Sequence, residues 1–333
     1  MKRLLPFLIL LTLINACKKG ENDIPAPLDI SNFALADYHI ISIAFQPNGT
    51  AWLGTLNQGL IRYDGEKATV FDSTNSPLNK VAIWDIEIDK NGNVWLGTDD
   101  LVKYDGTKFT RFDPSQFNLP RNGVQSVAID GPGNIWFSAG SFGQGGLVKY
   151  DGKKFSTFTP QNSLLPGHLI AGIAIDQENK VWVALNEGVN STSIVRIGET
   201  KWDVFNAKEF GFKPYYFGNI VTNKQNELLA SISYGLSSTM VANRPQIFMF
   251  NGQSAKVLNL PDEQSVIYMT HKIFVDRENR LWASFWSGDK EYGVFQNGNW
   301  QLRDLEGDGV FAFAQSPTGE IWMGTGKGVY ILK

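Results

Sequence analysis

Three histidines stand in the chain, His39, His168 and His271, and their spacing is not scattered. They stand thirteen, fourteen and eleven positions ahead of Trp52, Trp182 and Trp282 respectively. A neutral imidazole serves as a general base near pH 7, and it also accepts or donates a hydrogen bond to a ligand. The same window, counted back from each such Trp or from Leu229 in its place, also holds Tyr38, Trp84, Gln125, Tyr215, Tyr216, Tyr268 and Phe311. Flat rings beside imidazoles and an amide suit the recognition of a sugar or a peptide, where the rings stack and the polar groups orient. With an unperturbed value near 6.5, such histidines would make binding vary between about pH 5.5 and 7.5. No nucleophile motif and no paired acid/base signature is legible beside them.

The elements that must position these residues are repeats. Aligned on Trp52, Trp95, Trp136, Trp182, Leu229, Trp282 and Trp322, seven copies match without a gap over the thirteen preceding residues. Nine and seven residues before the Trp, pairs such as Ile43/Phe45, Ile86/Ile88 and Val127/Ile129 alternate as an apolar strand. The residue between them is small in four copies, so both faces of that strand are expected to be buried. Six residues before the Trp stands Asp89, Asp130, Asp176 or Asp276, with Gln46, Asn223 and Ser316 elsewhere. Three before it, every copy has Gly or Asn, the residues that best tolerate a left-handed backbone. The Asp column therefore reads as turn capping. One carboxylate per turn is too few ligands for a calcium site.

A second strand follows the Trp, then a variable loop, then a third strand ending in Tyr63-Asp64-Gly65, Tyr104-Asp105-Gly106 or Tyr150-Asp151-Gly152. Asp-Gly signals a tight hairpin, and a fourth strand follows at Phe109/Phe112, Phe155/Phe158 and Trp202/Phe205. No stretch shows a convincing helical period. Seven four-stranded units of this length predict an all-β, seven-bladed β-propeller over residues 29–333. The last copy ends after its third strand, so residues 29–34, with Ile30 and Phe33, are expected to close the ring against 328–332.

The stretches "GNVWLGT", "GNIWFSA" and "GLVKYDG" resemble the two-component regulator propeller repeat. The resemblance implies a scaffold and an association with ligand sensing outside the cytoplasm, and it assigns no catalytic residue. Seven-bladed propellers of the streptogramin-lyase type use His and Glu with a metal at this face, which makes His39 and His271 the residues to inspect for an enzyme.

The remaining readings concern partners and place. Net charge is −3 and no basic stripe is visible, so nucleic acid is not an expected partner. Residues 1–16 read as a signal peptide: Lys2 and Arg3, then an apolar run too short to span a bilayer. Ile14-Asn15-Ala16-Cys17 resembles a bacterial lipobox, which implies lipidation at Cys17, a flexible tether over 17–28, and a place in the cell envelope, at the outer membrane of a Gram-negative bacterium. No metal or cofactor is expected. The ligand-binding residues expected at the channel mouth are Tyr38, His39, Trp84, Gln125, His168, Tyr216, Tyr268, His271 and Phe311, joined at the rim by Trp286. The partner is a small glycan or peptide, or, on the alternative reading, a cell-envelope protein docked on a wall built by the longer strand 2–3 loops of blades 3 to 6.

Overall fold

A computed structural model of the protein describes residues 28–29, 35–78, 80–119, 123–141, 144–188, 191–211, 214, 216–233, 246–260, 269–286, 290–305 and 308–333. Cys17, the signal segment, Tyr215 and Tyr268 lie outside these residues, as does the side chain of Trp286. Among the described residues no helix is long and apolar enough to cross a membrane.

Seven four-stranded antiparallel sheets follow one another around a ring. Blade 2 is the plainest: Asp85–Ile88, Val94–Gly97, Leu101–Tyr104 and Phe109–Phe112, each strand paired with the next. Blade 7 takes Val310–Gln315, Ile321–Thr325 and Gly328–Leu332 from the end of the chain and its outer strand, Leu28–Asp29, from the beginning. Leu28 pairs with Ile331 and Asp29 with Tyr330. Pairing thus includes Leu28, one residue ahead of the expected boundary, while residues 30–34 lie outside the described set.

The turn chemistry explains the repeat. All seven residues of the Gly/Asn column have positive φ, from 60° at Asn226 to 106° at Gly319. Asp176 shows what the preceding column does: its Oδ1 accepts the amides of Glu178 and Lys180, and its Oδ2 accepts the Trp182 indole N–H at 2.8 Å. Asp89, Asp130 and Asp276 hold Trp95, Trp136 and Trp282 in the same way. In the hairpin between strands three and four, the Tyr hydroxyl folds back onto the glycine carbonyl, as Tyr104 does onto Gly106 at 2.8 Å, and Asp105 caps Thr107 and Lys108.

The core lies between blades, not within one sheet. Each of the seven blade interfaces has its own cluster, with Trp95 buried against Phe117, Val127 and Phe137 of the neighbouring blade. All six repeat tryptophans are at most 6% exposed, and Leu229 replaces the ring at 1%. The small residue two places after the Trp gives the next blade room: a Cβ on Gly97 would come within 2.6 Å of the Val124 carbonyl.

Two features depart from the expected pattern. Single helical turns occur at Pro114–Phe117 and Ala207–Phe210, each opened by a capping box, at Asp113/Gln116 and Asn206/Glu209. They are too short to show a period in sequence. The strand 2–3 loops of blades 3 and 4, expected to be long, are mostly strand: both blades extend their middle hairpins until Ser141 meets Gln144 and Gly188 meets Ser191.

Candidate ligand site at the channel mouth

The first strand of each blade lines a central cavity of about 1400 Å³. Which residues reach it follows from a shared irregularity. In five blades the first strand slips register against the second at about eleven residues before the Trp, as between Thr270 and Ile273 or Val310 and Ala312. The bulged position presents its side chain at the mouth. His271 and Phe311 occupy it in blades 6 and 7, and Trp84 and Gln125 hold the same position in blades 2 and 3. Two residues earlier, His39 and Tyr216 also face the cavity. The position between them, from Ile40 through Ile170 and Phe217 to Val310, is buried.

The lining of the cavity corrects two expectations. Tyr38 and His168 stand fourteen residues before the Trp and do not line the cavity. Tyr38 packs against the cluster between blades 7 and 1, where its carbonyl accepts the Gly328 amide at 3.0 Å. His168 Nδ1 lies 2.8 Å from the Gly145 carbonyl oxygen and so ties two neighbouring blades together. The shared window was too wide by one residue: at fourteen residues before the Trp the chain has not yet entered the first strand, which begins at Ile40 and Ile170, and the cavity is reached only from thirteen residues onward. Six of the expected residues do converge, namely His39, Trp84, Gln125, Tyr216, His271 and Phe311.

The two mouth histidines flank one ring. His39 lies 4.4 Å from Phe311 between ring centroids, tilted by 57°, and His271 lies 5.5 Å from it, edge-on at 82°. His39 Nε2 is buried with no hydrogen-bond partner among the described residues. Burial lowers the titration of His39, and burial with the neighbouring charge of Lys272 pushes His271 down to about 4. His271 is therefore neutral across the range of about pH 5.5–7.5, so the histidine-driven pH dependence expected there is not supported by its environment. Trp84 and Tyr216, on blades 2 and 5, are 40% and 38% exposed. Both rings line the cavity, where an exposed aromatic surface can take a stacking ligand. A second cavity of about 520 Å³ shares Trp84 and Gln125 with the first and reaches Arg111.

Charged groups that the window did not include sit deeper. Asp85 accepts the amide of Val127 in the next blade at 2.8 Å and that of Ile86 at 3.0 Å. Ser126 and Asn219, ten residues before their own Trp positions like Asp85, latch Ile173 and Ile273 in the same way. Glu87 and Lys272 also line the channel. Burial and the adjacent Asp85 charge push Glu87 up to about 8, so it is protonated at neutral pH. Burial raises Asp85, against the lowering effect of Lys272 and of its two backbone bonds. Among the described residues no group of three or more His, Cys, Asp or Glu side chains is placed to hold a metal.

Comparison with known proteins agrees with this architecture. The family described as "Two component regulator propeller" matches residues 77–100, the end of the first repeat's outer loop through the Trp strand of blade 2. The chain carries the two-component regulator propeller repeat there, within a seven-bladed ring. No curated protein matches the sequence. Among solved structures, the extracellular domain of a hybrid two-component system from B. thetaiotaomicron is similar at 16% identity and a TM-score of 0.65, over 89% of this chain and 38% of that one. The chain thus spans about two fifths of that sensor domain. Streptogramin B lyase is similar at 16% identity and a TM-score of 0.66, over 90% of this chain and 95% of the enzyme. YCF48 bound to D1 peptide gives 14% identity and a TM-score of 0.64, over 89% and 93%. At these identities the likeness is one of fold.

Proposed function

We propose that the protein is an extracytoplasmic ligand-binding propeller whose ligand, a glycan or a peptide, binds at the channel mouth. The observation that carries this reading is the placement of exposed rings. Five large apolar side chains are exposed among the described residues, and three of them, Leu56, Trp84 and Tyr216, stand at this one cavity. A scaffold has no use for open aromatic faces there, whereas a stacking ligand does. Similar propellers that form sensor extracellular domains, and one bound to a peptide, support the same reading.

Membrane attachment is part of the proposal. A lipid on Cys17 would tether the ring from the face opposite the mouth. Gly328 begins its strand at the mouth, bonded to Tyr38, and the strand runs away from it to Ile331 and Leu332, where Leu28 pairs. Leu28 thus lies at the end of the sheet away from the mouth, and a lipid tether joined on that side would leave the mouth pointing away from the membrane. A screen of glycan and peptide arrays with the full chain tests the reading: binding that Trp84→Ala weakens supports it, and binding insensitive to every mouth residue refutes it.

A second reading, a docking platform for an envelope protein, draws on the extended hairpins of blades 3 and 4, which stand above the four- and five-residue strands of blades 1, 2 and 7. A lyase-like activity has less support, because the mouth histidines are not joined by a set of metal ligands among the described residues.

A further inference from the structure

Two residues of the channel wall break the scaffold's own rules. Ten residues before the Trp position, the seven blades carry Ser42, Asp85, Ser126, Gly172, Asn219, Lys272 and Ala312. Three of these latch the next blade through a side-chain oxygen, and a fourth, Ser42, donates to the Ile83 carbonyl at 2.6 Å. Gly172 and Ala312 are merely small, whereas Lys272 is long and cationic, with no side-chain oxygen to make the latch. Eight residues before the Trp, six blades carry Ala, Val or Phe, and blade 2 carries Glu87. Both outliers line the same channel, on blades nearly opposite each other. Glu87 places its carboxyl where desolvation disfavours the charge. Neither is needed to build a blade, since the other blades are built without them.

Lys272 faces Asp85 and Glu87 across an open space. Lys272 lies close enough to lower the titration of Asp85, yet among the described residues no ion pair between them forms within 4.0 Å. Acidic groups and an ammonium group that face one cavity without closing on each other leave room for a ligand carrying both complementary groups. We propose, building on the reading that ligand enters at the mouth, that the throat is a site for a zwitterion, an amino acid or short peptide with free termini, its ammonium group on the Asp85–Glu87 side and its carboxylate on Lys272. The rings of Trp84, Tyr216 and Phe311 then take side chains at the mouth above. A polycation would meet Lys272, and a polyanion would meet Asp85, so the pair selects against both.

Binding would be linked to protons. An ammonium group set beside Glu87 favours its carboxylate, so a proton leaves as the ligand arrives. The other titratable or charged groups facing this space are Asp85, His39, His271 and Lys272, with Lys224, Asp276 and Arg277 further along the channel. His271, at about 4, holds no proton to release at pH 7.

The test uses the full chain and a mixed tripeptide library with free termini, against the same library N-acetylated or C-amidated, with neutral oligosaccharides as a further arm. Retained compounds are identified by mass spectrometry, and the best tripeptide is titrated calorimetrically in buffers of different ionisation enthalpy. The expected result is enrichment of the free library only, net proton release at pH 7 that Glu87→Gln abolishes, and binding at least about thirtyfold weaker in Lys272→Met. Thermal melting of each variant shows whether it has folded. No enrichment of free peptides, or equal retention of the blocked ones, overturns the proposal. Oligosaccharide binding that depends on Trp84 but not on Lys272 overturns the zwitterion site and leaves the mouth reading standing.

Discussion

Asp176 Oδ2 lies 2.8 Å from the indole nitrogen of Trp182, six residues further on, and the two are 6% and 1% exposed. One carboxylate thereby closes a turn and fixes the ring that fills the blade interface. Where the column lacks Asp, the ring is left unsatisfied: the indole nitrogens of Trp52, beyond Gln46, and of Trp322, beyond Ser316, have no partner among the described residues. Blade 5 has Asn223, and there the ring itself is replaced by Leu229.

This relationship predicts changes of opposite sign. Asp176→Ala strands an indole N–H and two turn amides and is expected to cost about 2–4 kcal/mol. Ser316→Asp supplies the missing acceptor to Trp322 and is expected to gain up to about 1 kcal/mol. Urea denaturation of both variants measures the difference directly.

Much of this was legible in the sequence, for a physical reason. The Trp, the Gly/Asn turn and the Tyr-Asp-Gly hairpin each meet a local geometric demand that recurs from blade to blade, so repetition exposes them. The choice between Gly and Asn was less legible. Asn179, Asn226 and Asn279 each accept an amide from the preceding blade, at Gly131, Gln177 and Lys224, a contact between positions far apart in the chain. The site was legible in part. Trp84, His39 and His271 fall in the right window, but His168 and Tyr38 stand ahead of their strands, which begin at Ile170 and Ile40, and pack elsewhere through contacts distant in the chain. Lys272 and Glu87 become visible only when each column is read for its outlier.

Ring closure predicts a second stability effect. A truncated chain beginning at Tyr38 lacks Leu28–Asp29 and opens the edge of the Gly328–Leu332 strand. It is expected to lose several kcal/mol or to self-associate. Light scattering together with thermal melting distinguishes the two outcomes.

Glu87 predicts a pH dependence with a definite sign. Its folded value, about 8, lies above its ordinary one of 4.5, so between the two the folded chain holds a proton that the unfolded chain has released. Its contribution to stability is complete below its ordinary value and is lost as pH rises through the folded one. Glu87→Gln should therefore leave stability near pH 4.5 little changed and raise it by about 1–3 kcal/mol near pH 8.5. His271 acts in the opposite sense, since its lowered value makes stability fall as pH drops from 6.5 towards about 4. His271→Gln should flatten that acid limb, which melting curves from acid to alkaline pH would show.

The central claim is that the aromatic mouth, not the scaffold ring of tryptophans, holds the ligand. Trp84 is 40% exposed at the cavity, and Trp52 is 2% exposed between blades. The most direct test is calorimetric titration of the ligand found in the array screen into the full chain and into Trp84→Ala and Trp52→Ala, with the melting temperature of each. Trp84→Ala should cost about 1–3 kcal/mol of binding and little stability, whereas Trp52→Ala should cost about 3–5 kcal/mol of stability. Unchanged affinity in Trp84→Ala, or a loss of stability there equal to that of Trp52→Ala, would contradict the account.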